Sequence, residues 1–135
     1  MKRAHPMTKT ILAAIAFLLP LAGAMADAPG EVQTAMKHAG FAMMEKAVDG
    51  VHLHLHHTIN CLVGPQGKGF DAKAGDPCKG MGNGAINDTN DAQMKAMLMH
   101  VVTLASTAEE IHSYEAAKDV AMAVHTLLSE ASKSK

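Results

Sequence analysis

Aromatic residues are nearly missing from this sequence: its 135 residues include no Trp, one Tyr and three Phe. A core with so few large rings must be assembled from Met, Ala, Val and Leu. The same shortage leaves little to line a porphyrin pocket. A basic excess is also absent. Twelve Lys and Arg stand against thirteen Asp and Glu, which argues against nucleic acid as a partner, because phosphate binding needs a basic surface. Cysteine is limited to Cys61 and Cys78. With no CxxC there is little support for a thioredoxin-like role, and with no CxxCH there is no covalent haem attachment.

Long apolar runs are absent except for one, and it lies at the start. "MKRAHPMTK" carries Lys2, Arg3 and Lys9, "ILAAIAFLLPLAGA" follows, and small residues flank Met25 in "AMA". This is the three-part pattern of a secretory signal peptide, and the run is short for a membrane span. We expect residues 1–26 to be cleaved and residues 27–135 to form a single helical domain. Three bases and no acid leave with the leader, so the mature chain has nine bases, thirteen acids and a net charge of −4 with His neutral. The expected location is periplasmic or secreted, with no stable membrane insertion after cleavage. In such a compartment Cys61 and Cys78 read as one disulfide, of a loop size worth roughly 3 kcal/mol in the chain-entropy model.

What the mature part has in plenty is Met and His: eight of eleven Met and eight of nine His lie beyond Ala26. Four of those histidines fall within "VDGVHLHLHHTINC". Period two would make this a strand with leucines on one face. No second alternating run exists to pair with it, so the strand's ladder would go unsatisfied. Period 3.6 fits a much longer stretch. Across residues 30–63, Gly40, Met44, Ala47, Val48, Val51, Leu55, Thr58, Ile59 and Leu62 share one face. Glu31, His38, Glu45, Asp49, His52, His56 and Asn60 gather opposite. Asp49 and Gly50 mark where this helix could divide in two. Seven glycines and two prolines then make a long loop, with no phosphate-loop or EF-hand spacing. The predicted disulfide pins it.

"NDAQMKAMLMHVVTLA" predicts the next helix, capped by Asn90 or Asp88, with Met94, Met97, Leu98, Val101, Leu104 and Ala105 on its apolar face. Ser106 with Glu109, and Thr107 with Glu110, match capping boxes, so a new helix is expected near Ser106. Its buried stripe is Ala117, Val120, Ala121, Val124, Leu127 and Leu128. The predicted fold is all-α: an up-down bundle of three helices, or four if Gly50 breaks the first, with the disulfide-pinned loop after the first helix. A hairpin without the Ser106 break would bury too little surface alone and is expected to form a homodimer.

On a straight helix, Glu45, Asp49, His52 and His56 fall within about 60° of one another. Two imidazoles four residues apart can chelate one divalent ion, with a carboxylate one turn earlier as a third ligand. His38 continues the stripe, His57 sits beside it, and His54 turns toward Met36 and Met43. The metal-ligand candidates are therefore His52 and His56 with Asp49 and Glu45, then His57, His54 and His38. Met97, His100, Met122 and His125 form an alternative set in the bundle core. HExxH is absent and no serine sits in a nucleophile elbow, so no catalysis is expected. The functional expectation is an exported soluble protein that buffers, delivers or senses copper or zinc. A carrier of non-covalent haem b is the alternative, and a ligand-free periplasmic interaction or stress adaptor a third class.

Overall fold

The computed structural model describes residues 26–133, and these are all-helical. Beyond Ala26 itself, the expected leader lies outside the described residues. The helices are α1 (Ala28–Met44), α2 (Val48–Val63), the single turn α3 (Ala85–Asp88), α4 (Ala92–Ala108) and α5 (Tyr114–Lys133). No helix among the described residues is long and apolar enough to cross a membrane.

Side-chain contacts fix the helix directions. Thr58 Oγ1 donates to Ala35 O at 3.1 Å, so α2 runs back along α1. Tyr114 Oη donates to Glu45 O at 2.6 Å, and His125 lies over Gly40, so α5 is antiparallel to α1. His56, midway along α2, meets Glu109 just past α4, and Asn87, just before α4, donates to Val63 O at the end of α2, so α4 is antiparallel to α2. The result is the expected up-down bundle of four longer helices. Its centre is Leu55, Ile59, Leu62, Leu98 and Leu128, interleaved with Ala35, Ala39, Ala42, Ala105, Ala117 and Ala121. The alanines let the helix axes approach, and this replaces the large rings the sequence lacks.

The break in the first helical run falls at residues 45–47, ahead of Gly50. Glu45 and Ala47 are both extended, and Asp49 sits in the first turn of α2, where an acid suits the helix dipole. Gly50 does not end a helix. It lies beneath the Glu45 side chain, whose carboxylate occupies the place a Cβ would take. The second break also moves. α4 continues through Ser106 and Thr107 to keep Ala105 and Ala108 buried, and Thr107 Oγ1 donates back to Leu104 O at 2.7 Å. The capping-box pattern therefore ends one helix without starting the next. Asp91, rather than Asn90 or Asp88, caps α4, accepting from Gln93 N and Met94 N.

The disulfide is present, joining Cys61 to Cys78 with the Cα atoms 5.2 Å apart. Above it the ends of the glycine loop meet the core at Glu31, which the helical wheel had placed on the polar side. Glu31 is 1% exposed. Its Oε1 accepts from Gly84 N at 3.0 Å, while Oε2 has no donor. Burial raises its pKa to about 7, opposed by the Gly84 bond and reinforced by the Asp88 and Asp27 charges. When protonated, Glu31 can donate to the Asp88 carboxylate, which is within its reach. The folded state therefore binds this proton more tightly than the unfolded chain. The stability it contributes is full below about pH 4.5 and is lost as pH rises through about 7. Glu31→Gln, isosteric with the protonated acid, is expected to match the wild-type melting temperature near pH 5 and exceed it near pH 8. Equal melting temperatures at pH 8 would contradict a buried acidic proton.

Candidate metal centre

The hairpin of α1 and α2 brings three imidazoles to one point. His38 comes from α1, and His54 and His57 come from adjacent turns of α2. One ring nitrogen from each lies within 4.8 Å of the other two. His38 Nδ1 is 3.3 Å from His54 Nδ1 and 3.2 Å from His57 Nδ1. Phe41 packs edge-on against His38, centroids 5.4 Å apart, and lies 5.5 Å from the His54 ring. All three histidines are half-buried.

The far nitrogens of the two α2 rings are occupied. His57 Nε2 lies 2.6 Å from Ala74 O, and His54 Nε2 lies 3.2 Å from Glu45 Oε1. A carbonyl and a carboxylate only accept, so each Nε2 carries the hydrogen. In the neutral rings the lone pairs then sit on Nδ1, facing His38. Two acceptors aimed at a third imidazole cannot both be fully satisfied by its single proton. A cation satisfies all three at once. The spacing suits one: metal–nitrogen bonds of about 2.0–2.1 Å at tetrahedral angles put ligand nitrogens roughly 3.3 Å apart. Both Ala74 O and Glu45 are the kinds of partner that orient metal-bound histidines.

Burial lowers the His38 pKa to about 4, and the neighbouring His57, His54 and Lys37 push it the same way. Its ring therefore stays neutral in the fold at pH values where an unfolded histidine is charged. The stability this contributes is full above about pH 6.5 and is lost as pH falls through about 4. Glu31 acts with the opposite sign over much of the same range. Denaturation of Glu31→Gln between pH 4.5 and 6.5 is therefore expected to show metal-free stability rising with pH. In His38→Asn it should fall with pH. If both variants had the same sign of slope, one of the two assignments would be wrong.

The other predicted ligands lie elsewhere. His52 Nε2 is 3.1 Å from Ile111 O, and His56 Nε2 is 3.2 Å from Glu109 Oε1. These two rings tie α2 to the link between α4 and α5. Asp49 is exposed, and Glu45 turns to His54. In the alternative set, His100 and Met122 are exposed while Met97 and His125 are half-buried, and His125 packs beside Gly40. Among the described residues, the His38–His54–His57 group is the one convergence of three or more His, Cys, Asp or Glu. Sequence reasoning missed the outer partners. The sequence pattern offers Glu45 as a ligand, whereas the structure sets its carboxylate against His54 Nε2, and Ala74 offers a backbone carbonyl, which has no residue signature.

Comparisons with protein-family models, with curated proteins and with solved structures find no match to this chain.

Proposed function

We propose that this chain is an exported binder of a single transition-metal ion, zinc or copper, which it buffers, delivers or senses rather than using it for catalysis. The observation that carries the reading is the meeting of three imidazoles within 4.8 Å, His38 Nδ1 lying 3.2–3.3 Å from the Nδ1 atoms of two α2 rings whose other nitrogens are tied off. Imidazole suits zinc and copper. Thiolate chemistry is closed, since both cysteines are in the disulfide. Three neutral ligands leave a fourth coordination position to water or to an incoming ligand, which fits an ion that must later leave. The leader-like start and the disulfide support an oxidising compartment outside the cytoplasm.

Metal-free mature protein titrated with Zn(II), and separately with Cu(II), is expected to take up one equivalent at pH 7.5 and keep it through desalting. Elemental analysis finding neither ion retained would overturn the reading.

A further inference from the structure

A segment without regular structure fixes the His57 ring. Ala74 lies in the 64–84 loop, whose glycines would let a free chain sample many conformations. Two neighbouring residues of α2 hold it still. Asn60 is fully buried; its Nδ2 donates to Asp71 O and Gly75 O, both at 2.7 Å, and its Oδ1 accepts from Asp71 N at 2.9 Å. Cys61 is bonded to Cys78. His57, Asn60 and Cys61 thus grip residues 71–78 within little more than one turn of α2. Ala74 sits between the two residues that Asn60 holds.

Building on the histidine-site reading, we propose that disulfide formation assembles the metal site: the Cys61–Cys78 bond, with Asn60 as a positioning residue, holds the Ala74 carbonyl that presets His57 with its Nδ1 free for the ion. The bond forms by thiol–disulfide exchange with an external disulfide. The two cysteine thiols give up two protons and two electrons, and the external disulfide is reduced to two thiols. Before that step the loop is tethered only by non-covalent contacts, and the His57 ring is free to exchange tautomers and rotate. Afterwards Cys61 and Cys78 are 0% and 5% exposed, so reductants have little access and the assembly runs in one direction. Metal loading therefore follows oxidation. A reduced chain holds the ion weakly and an oxidised chain holds it firmly.

The test uses the full mature chain. Cys61→Ser/Cys78→Ser removes the bond without offering new thiolate ligands. Zinc affinity is read by competition with a chromophoric chelator, and helicity by circular dichroism. Loss of an outer partner of a metal-bound histidine weakens binding by about 10- to 100-fold, and that loss is expected here at unchanged helicity. In metal-free protein, long-range 1H–15N NMR is expected to show His57 protonated on Nε2 when the disulfide is present, and a mixture of tautomers in the double variant. Asn60→Asp keeps the disulfide but loses both donors to Asp71 O and Gly75 O. It should shift the tautomer in the same direction, and it serves if the serine variant fails to fold. Unchanged affinity and a fixed His57 tautomer without the disulfide would overturn the proposal. If wild-type protein binds no zinc, the metal reading fails by itself, while the tautomer comparison still decides whether the loop presets His57.

Discussion

His57→Ala is expected to weaken zinc binding by about two to three orders of magnitude while leaving the bundle folded. Structural zinc sites bind with roughly 10–16 kcal/mol over four ligands, so each ligand carries about 2.5–4 kcal/mol, which is the stated fold-change. His54→Ala and His38→Ala should behave alike, and any pair of these substitutions should abolish measurable binding. The informative contrast is His52→Ala/His56→Ala. Those rings bond the link after α4, so their loss should lower stability by about 1 kcal/mol per bond and leave affinity nearly unchanged. Binding isotherms paired with urea denaturation separate the two groups. Metal binding lost in the His52/His56 variant and kept in His57→Ala would reverse the assignment.

Gly84→Ala is expected to be strongly destabilising. Gly84 has φ +98°, where L side chains are disfavoured, and its added Cβ would run into the backbone of Val63 and Gly64. Gly64, with φ +70°, meets Asn83 in the reciprocal way. The two ends of the loop cross here backbone against backbone, so no side chain can yield to make room. The left-handed conformation costs about 1 kcal/mol for a residue other than glycine, and separating the crossing adds more, for a total of about 3 kcal/mol. That corresponds to a fall in melting temperature of roughly 10–20 °C. Gly80→Ala is the control: its φ of +85° is also positive, but nothing lies within 4 Å of the added Cβ, so only the conformational part should appear. Equal melting temperatures for the two variants would contradict the crossing.

The bundle was legible because its signals are local and periodic. Alanine- and leucine-rich runs with an apolar stripe form helices wherever they pack, and the two cysteines form the one bridge expected of them. The helix ends were less legible. Glu45, Lys46 and Ala47 carry no breaker, and the turn there arises because Ala35, Ala39 and Ala42 can bury against Val51 and Leu55 only if the chain doubles back. That displacement reshuffled the histidines. On one straight helix His38 falls in line with His52 and His56. Once the helix is folded at Glu45, His38 faces His54 and His57 across the hairpin, while His52 and His56 turn to the far side of α2. The histidines themselves stood out in the sequence, but their grouping depended on a tertiary fold-back. Glu31 was hidden for a related reason: its place on the polar side of a lone helix became interior when the loop closed over it.

NMR of the ring nitrogens during zinc addition tests the central claim most directly, because it identifies the ligand atoms one by one in the intact protein. With one equivalent of zinc, the account predicts that the Nδ1 signals of His38, His54 and His57 shift together and saturate together. The rings of His52, His56, His100, His112 and His125 should be left in place. Saturable shifts at His52 and His56 with the three-histidine cluster unmoved would contradict it.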